Sequence, residues 1–192
     1  ERLIRGFAAA LRHEHGYIVG PDMGTDETCM AWVKDEIGRA SGLPAALGGI
    51  PLDEIGATGW GVCHATQVAL ERLGRSLDGA RIAVQGFGAV GRHAARFLTA
   101  RGARLVAVGD SAGAIHRPAG IDLDRLLAIK DGGGKVTAYP GADIIDAEQL
   151  IGVECEVWIP AARPDVIHAG NVDRLRAALL VQGANIPLTP EA

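Results

Sequence analysis

A short glycine-rich run in the middle of the chain restricts the fold more than any other feature of the sequence. Residues Gly86–Gly91 have the spacing G-x-G-x-x-G and stand between an apolar run, Arg81–Gln85, and an amphipathic segment, Ala89–Ala100. With 27 glycines in 192 residues, this spacing arises easily by chance, so its setting decides its meaning. A glycine turn that directly follows a strand and directly opens a helix is typical of pyrophosphate binding in a dinucleotide site.

The three glycines of this run have different expected tasks. Gly86 permits the tight turn, Gly88 lets the backbone approach the pyrophosphate, and Gly91 lets the helix pack closely on the sheet. The free N–H groups and the positive dipole at the start of the helix attract the same anion. We therefore predict that the whole run binds a nicotinamide dinucleotide, through Gly86, Phe87, Gly88, Ala89, Val90 and Gly91.

An acidic residue follows the next predicted strand, Arg104–Val108. This residue, Asp110, stands 19 positions beyond Gly91 and is followed by Ser111. A carboxylate at the end of that strand can accept both hydroxyls of the adenosine ribose. The alternative is an ordinary turn residue, for which aspartate is also common. Because the glycine turn lies upstream, we predict that Asp110 and Ser111 bind the cofactor.

The same carboxylate bears on the choice of cofactor. A negative charge at the Asp110 position would repel a 2′-phosphate, which favours NAD over NADP. Arg117 lies close enough in sequence to weaken this preference, so NADP stays possible.

Short apolar runs alternate with amphipathic segments from Ala80 to the end of the chain. The predicted strands are residues 81–85, 104–108, 157–159 and 179–181, and the predicted helices are 89–100, 122–130 and 171–178. This alternation is typical of a parallel sheet covered on both faces. The sequence therefore predicts an α/β, Rossmann-like, doubly wound parallel sheet over residues 61–192.

The residues before this domain have a helical pattern. Predicted helices cover 1–15, 26–39 and 61–73, and a glycine-rich stretch, 41–59, is predicted to be a long loop. Apolar side chains of the first two helices recur at helical spacing, namely Leu3, Ile4, Phe7, Ala8 and Leu11, then Met30, Val33 and Ile37. Thr25 or Asp26 is expected to cap the second helix. We place the domain boundary after residue 60.

Composition argues against several kinds of partner and site. The net charge of −4, with no Lys/Arg-rich block, argues against nucleic acid and anionic membranes. The longest apolar runs fall short of 18 residues, so no membrane span is expected. Cys29, Cys63 and Cys155 are far apart, which argues against a zinc site or a disulfide framework. This cysteine usage fits a reducing, cytoplasmic compartment.

A second glycine-rich run, Asp131–Lys135, is like a phosphate-binding loop only superficially. It follows a predicted helix, whereas a phosphate-binding loop follows a strand. We therefore interpret it as a helix stop and a flexible turn.

Five segments, taken together, resemble the glutamate/leucine/phenylalanine/valine dehydrogenases. They are Gly20–Thr25 with Met30–Trp32, Ala57–Gly59 with Gly61-Val62, Gln85–Gly91, Ile159–Ala162, and Gly183–Asn185 with Thr189–Ala192. Their order and gaps are similar to those of the family over nearly the whole chain, and glutamate dehydrogenases are the most similar members. The resemblance implies NAD(P)-dependent oxidative deamination of an L-amino acid, glutamate first, by a homo-oligomer that is often hexameric.

The resemblance also implies roles for individual residues. Asp22 corresponds to the general acid/base, since a carboxylate can move protons on and off an amine and water. From the residues alone, Asp22 fits equally well as a turn or cap ahead of the 26–39 helix. Thr58 corresponds to a loop threonine that holds the nicotinamide carboxamide. The segments lining the nicotinamide and its ribose correspond to Ala161, Ala162 and Asn185.

The sequence departs from the family pattern in two ways. Trp60 stands where glutamate dehydrogenases commonly have arginine, and Gln182 where glutamate is usual. The family segment with the catalytic lysine, and the lysine that grips the substrate carboxylate, would lie upstream of residue 1. Residues 1–60 would then be the last part of a substrate domain, and this chain alone should bind cofactor and turn over poorly. Two alternatives stay open: a branched-chain or aromatic amino-acid dehydrogenase, and a non-catalytic NAD-binding module.

Overall fold

The computed structural model describes residues 1–22 and 24–192. Met23, in the middle of the Gly20–Thr25 segment, lies outside the described residues. The chain divides into two compact units, Glu1–Ile55 and Gly56–Ala192.

The first unit is helical. Its helices are α1 (Arg2–Ala10), α2 (Glu27–Ile37) and the short α3 (Leu52–Ile55), with one turn of 3₁₀ helix at Ala45–Leu47. Helix α2 begins at Asp26, whose carboxylate accepts a hydrogen bond of 2.9 Å from the backbone N–H of Cys29. Of the two capping candidates, Asp26 is therefore the residue that caps the helix.

The small core of the first unit corrects two predictions. Ala8, Met30 and Val33 are buried together, whereas Leu3 and Phe7 of the predicted apolar stripe are 84% and 56% exposed. Helix α1 ends at residue 10 rather than 15, and the predicted loop 41–59 contains the 3₁₀ turn, α3 and the first residues of a longer helix. The prediction failed because alanine at position 8 packs more closely on α2 than the larger side chains around it.

Within the described residues, the second unit contains one six-stranded sheet. The strands are β1 (Arg81–Gln85), β2 (Arg104–Asp110), β3 (Gly113–His116), β4 (Asp143–Ile145), β5 (Cys155–Pro160) and β6 (Ala177–Leu180), in the order β4-β3-β2-β1-β5-β6. The four strands β2, β1, β5 and β6 are parallel, while β3 and β4 extend the sheet in antiparallel fashion. The predicted α/β class is confirmed, with the two antiparallel strands as an unpredicted addition.

The helices of this unit cover one face of the sheet. They are α4 (Ala57–Arg72), α5 (Ala89–Thr99) and α6 (Leu123–Asp131), and their buried side chains join those of Ile82 and Val84 in one core. The other face is covered by the 3₁₀ turn Gln149–Gly152, to which the Trp158 indole donates a hydrogen bond of 3.2 Å at the Leu150 carbonyl.

A helix predicted at 171–178 is wrong. Only Val172–Arg174 form a 3₁₀ turn, and residues 177–180 form β6, with Ala177 opposite Cys155 of β5. Alanine and leucine favour helices locally, but pairing with a buried parallel neighbour outweighs that small preference.

The three cysteines differ in their surroundings: Cys29 is half-buried, Cys63 and Cys155 are buried, and the Cys63 sulfur accepts a hydrogen bond from Arg101. All three cysteines are free, and burial raises the pKa of the Cys155 thiol to about 12. Residues 1–22 and 24–192 contain no group of three His, Cys, Asp or Glu side chains placed to hold a metal ion.

Within the same residues, no helix combines the length and the apolar character that crossing a bilayer requires.

Candidate functional site

The glycine turn lies at the carboxyl end of the parallel strands. The backbone N–H of Gly86 donates to the Gly109 carbonyl at 2.9 Å, which sets the turn level with the end of β2. Gly88 is the N-cap residue of α5, and its carbonyl accepts the N–H of Arg92 at 2.9 Å. Because Gly88 has no side chain, the first amide groups of α5 receive no side-chain cap.

The three glycines of the turn differ in their backbone conformation and in the space available for a Cβ atom. Gly86 has φ +97°, and a Cβ there would lie 2.7 Å from the Cβ of Ala162. A Cβ at Gly91 would overlap the Gly86 carbonyl oxygen. A Cβ at Gly88, by contrast, would meet no atom within 4 Å, and Gly88 has an ordinary φ of −89°. The fold therefore requires glycine at 86 and 91, but not at 88.

The residues between these glycines are placed unequally. The side chain of Phe87 is only 4% exposed and packs in the helix-side core, so only its backbone can face a ligand. Ala89 is exposed and Val90 half-buried, at the start of α5.

Two further predicted segments meet the turn. The Ala161 N–H donates to the Gln85 carbonyl at 2.7 Å, and Ala162 lies against Gly86. Gly183 and Ala184 both donate to the Pro160 carbonyl, at 2.9 and 2.8 Å, and a Cβ at Gly183 would lie 3.2 Å from both the Ala161 Cβ and Val90 Cγ1. Asn185 is exposed and lies in the loop that follows β6.

Thr58 lies in a different element from the one predicted. It lies in the first turn of α4, not in a loop, because α4 begins four residues earlier than the predicted residue 61. Close packing of Gly59 on Ala94 and His93, where a Cβ would approach to 2.6 Å, extends the helix and holds it beside α5. The Thr58 side chain is exposed.

Asp110 is the last residue of β2, and its carboxylate is mostly buried. Its side chain is 7% exposed, and Oδ2 accepts from Lys130 Nζ at 2.7 Å and from the Val136 N–H at 3.0 Å. Oδ1 accepts the Ala112 N–H at 2.9 Å. Burial raises the pKa of Asp110, but the hydrogen bonds from Lys130 and the two amides outweigh burial and hold that pKa below its ordinary value.

Replacing Asp110 with asparagine should lower the free energy of unfolding at pH 7 by about 2 kcal/mol, because Lys130 loses its partner in a mostly buried place. A carboxylate whose folded pKa is depressed stabilises the fold above its unfolded pKa. That contribution disappears as the pH falls through the folded value. The difference between wild type and variant in urea unfolding should therefore shrink below about pH 4.

The control is Asp124→Asn, which removes the same charge from the exposed first turn of α6. It should cost less than about 0.5 kcal/mol. Equal losses for the two variants at pH 7 would contradict the assigned role of the Asp110 pair.

Sequence reasoning missed the partners of Asp110. Lys130 lies in the last turn of α6. Lys135, whose Nζ lies 3.4 Å from Ser111 Oγ, belongs to the glycine run Asp131–Lys135, for which no binding role was predicted. The Arg117 guanidinium, by contrast, donates to the Gly120 carbonyl of its own turn at 2.8 Å. The only sequence signal was the glycine run itself, which does not say which strand it will contact.

Asp22 lies in a tight turn of the first unit. Its N–H donates to Thr25 Oγ1 at 2.8 Å, and the Thr25 hydroxyl donates back to the Asp22 carbonyl at 2.8 Å. The Asp22 residue is exposed, and Asp26 provides the helix cap. Asp22 therefore lies in a turn, as one alternative from the residues alone predicted, while the cap of α2 is Asp26.

Trp60, which departs from the family pattern, packs against Arg101 and Phe97, and Ile186 has an unusual backbone conformation. The Arg101 guanidinium lies over the Trp60 ring, with its Cζ 4.7 Å from the ring centroid. The Trp60 ring also packs edge-on against Phe97, with 5.0 Å between the ring centroids. Ile186, directly after Asn185, has φ +46°, a region that β-branched residues disfavour. The loop holds it there, since the Asp165 N–H donates to the Ile186 carbonyl at 3.0 Å.

The mainly parallel sheet and the glycine turn at its carboxyl edge define a Rossmann-like α/β protein. Residues 48–192 match the family model of the glutamate/leucine/phenylalanine/valine dehydrogenases. The chain therefore belongs to this family of amino-acid dehydrogenases, which confirms the resemblance found in its five segments.

Individual relatives agree with this assignment. A glutamate dehydrogenase of Thermotoga maritima is 38% identical over the whole of this chain and 49% of its own length. One of Aeropyrum pernix is 39% identical over 91% of this chain and 44% of its own length. The hetero-hexameric glutamate dehydrogenase of Thermus thermophilus superposes with a TM-score of 0.82 at 34% identity, covering 99% of this chain and 47% of that one. The chain thus spans about half the length of the relatives it matches.

Proposed function

We propose that this chain supplies the cofactor site of an NAD(P)-dependent dehydrogenase that deaminates an L-amino acid, glutamate first, to a 2-oxo acid and ammonia. The observation that carries the proposal is Gly88, a glycine that the fold does not need, at the uncapped start of α5. On this proposal, the residue there is glycine because a bound pyrophosphate fills the space that a side chain would take. The relatives named glutamate dehydrogenase support glutamate as the substrate.

The residues around the turn fit a dinucleotide. The amides at the start of α5 would hold the pyrophosphate, and Asp110 and Ser111, level with the turn, would lie beside the adenosine ribose. Ala161, Ala162 and Asn185, on the other side of β1, would line the nicotinamide half together with Thr58. When bound, the nicotinamide ring supplies hydride-transfer chemistry.

Asp22 would handle the protons of the reaction. Asp22 is exposed, its backbone N–H and C=O are both hydrogen-bonded to Thr25, and Asp26 caps α2. In this role it would take a proton from the amine as the imine forms, and give one to the nitrogen that leaves as ammonia after water has added to the imine. Polarising the carbonyl needs a cationic group as well, and the family's lysine would come from a segment outside residues 1–192.

The whole protein is proposed to be a cytoplasmic homo-oligomer, with the hexamer as its proposed form. Its free cysteines suit a reducing compartment, and the Thermus thermophilus relative is described as hetero-hexameric.

Calorimetric titration of the 192-residue chain with NADH and NADPH tests the proposal directly. At least one should bind with one-to-one stoichiometry, because the glycine turn and its neighbours belong to one compact unit. Assays with glutamate, leucine and phenylalanine plus NAD should give negligible turnover from this chain alone. Absence of binding by both cofactors would refute the proposed site, and robust turnover would refute the need for a further catalytic lysine.

A further inference from the structure

We propose that a cleft at the amino ends of β1 and β2 binds a small molecule that carries a phosphate group. The cleft has a volume of about 460 Å³, which is enough for a ligand of metabolite size. It lies at the opposite end of the parallel strands from the glycine turn, and the inference does not rest on the proposed cofactor site. The polar side chains that line it are those of Arg75, Ser76, Asp78, Arg81, Arg104 and Glu156.

Two arginines of this cleft have no acidic partner. Arg81 is compensated, since its guanidinium lies 2.8 Å from Glu156 and 3.3 Å from Glu154. Arg75 and Arg104 are exposed, and residues 1–22 and 24–192 provide no carboxylate in an ion pair with either of them. The guanidinium groups of Arg75 and Arg104 are therefore available to a ligand.

One carboxylate of the cleft works against an anion. Asp78 forms no ion pair within the described part of the chain, so its charge must be set against those of Arg75 and Arg104. Its Oδ1 lies against the backbone of Gly102, where a Cβ would come within 2.0 Å of that oxygen. Because two unpaired guanidinium groups are present for one unpaired carboxylate, the uncompensated charge of the cleft is positive.

Strand pairing places two of the arginines side by side. Arg81 is the register partner of Arg104, whose N–H donates to the Ala80 carbonyl at 2.8 Å. The stem of Arg104 packs over Gly120, where a Cβ would lie 3.0 Å from its Cγ, and its guanidinium donates only a long hydrogen bond of 3.5 Å to the Gly79 carbonyl. Like charges at paired positions of a sheet repel each other. An anion bound at Arg104 would offset that repulsion.

A phosphate group suits the donors of this cleft. A guanidinium presents its N–H groups in one plane, which matches two oxygens of a phosphate. The Ser76 hydroxyl accepts the Asp78 N–H at 3.1 Å, so its own proton can be donated to a third oxygen. Ser76, Arg75 and Arg104 are all exposed, so a ligand can reach them from solvent.

Amide NMR of the isotope-labelled 192-residue chain tests the site with two probes, inorganic phosphate and ribose 5-phosphate. Both should shift the amide signals of residues 76–81 and 104 and saturate a single site there, with a dissociation constant below about 1 mM in low salt. Added salt should weaken the binding. Ribose without the phosphate is the control and should shift none of these signals.

The two probes also distinguish the source of the phosphate. Tighter binding of ribose 5-phosphate would support a phosphorylated metabolite as the ligand, and equal binding would support free phosphate. If neither probe shifts residues 76–81 and 104, or if the shifts are confined to residues 86–91, the inference is wrong. The second of these results would place the phosphate at the glycine turn and leave the proposed cofactor site standing.

Two variants assign the binding to residues. Arg75→Ala and Arg104→Gln should each weaken it about tenfold, because each removes one charge-assisted contact. Glutamine at 104 keeps part of the stem that packs over Gly120, and the amide signals of the rest of the sheet show whether each variant is folded.

Arg72→Ala is the matched control. It removes a positive charge from the exposed last turn of α4, outside the lining of the cleft, and should leave the affinity within about twofold. An effect of Arg72→Ala as large as that of Arg75→Ala would mean that phosphate is attracted to the basic surface in general, and would overturn the inference.

Discussion

Valine in place of Gly88 should abolish dinucleotide binding, with a loss of affinity of more than about 100-fold, and leave the fold intact. The reason is the contrast between the two sides of this residue. On the protein side, a Cβ meets no atom within 4 Å and the backbone φ of −89° suits any residue, so folding is not opposed. On the ligand side, the branched side chain would occupy the space in front of the first amides of α5.

Calorimetry with the preferred cofactor measures the expected loss of affinity, and thermal unfolding of the free chain shows whether the fold stays intact. Gly61→Val is the matched control, since Gly61 is exposed on α4 and a Cβ there also meets nothing within 4 Å. It should bind cofactor like the wild type. Unchanged affinity in Gly88→Val would remove the main support for the cofactor site, because the turn would then tolerate a side chain where the pyrophosphate should lie.

Alanine in place of Gly91 should destabilise the fold itself, by about 3 kcal/mol. The added Cβ would overlap the carbonyl oxygen of Gly86 and lie 3.1 Å from Val84 Cγ1. The carbonyl is backbone and cannot rotate away, so α5 must move off the sheet. Because the same movement displaces the amides of the turn, cofactor affinity should fall as well.

Gly61→Ala is the control: it makes the same chemical change, but it should raise the free energy of unfolding instead of lowering it. It lies within a helix in open space, where alanine should stabilise by about 0.5–1 kcal/mol through its higher helix propensity. Urea unfolding of the two variants, followed by circular dichroism, gives both values. A Gly91→Ala variant as stable as the wild type would mean that α5 does not approach the turn as closely as the structure has it.

Local patterns predicted the centre of the second unit well. β1 has the predicted bounds, α5 ends one residue early, and β2 reaches two residues further, to Asp110. These elements are specified locally, because a buried strand, a glycine turn and an amphipathic helix each have their own short-range pattern. The position of the turn followed from that pattern alone.

The edges of the sheet could not be predicted in the same way. β3 and β4 are short strands whose partners, not their own sequences, make them strands. Residues 177 and 178 have a helical pattern, but in the structure they pair with β5 together with the predicted strand residues 179 and 180. An unpaired backbone must find a partner somewhere, and which segment supplies it depends on the packing of the whole unit.

The sequence alone determined that a glycine turn joins a strand to a helix, that Asp110 follows the next strand, and that five segments match one family of dehydrogenases. The tertiary structure decided what surrounds Asp110. Lys130 and Lys135 reach its strand only because α6 and the turn after it fold back on the end of β2, 20 and 25 residues further along the chain. A local pattern encodes local geometry, but the charge that a carboxylate presents to a ligand depends on neighbours that only folding brings together.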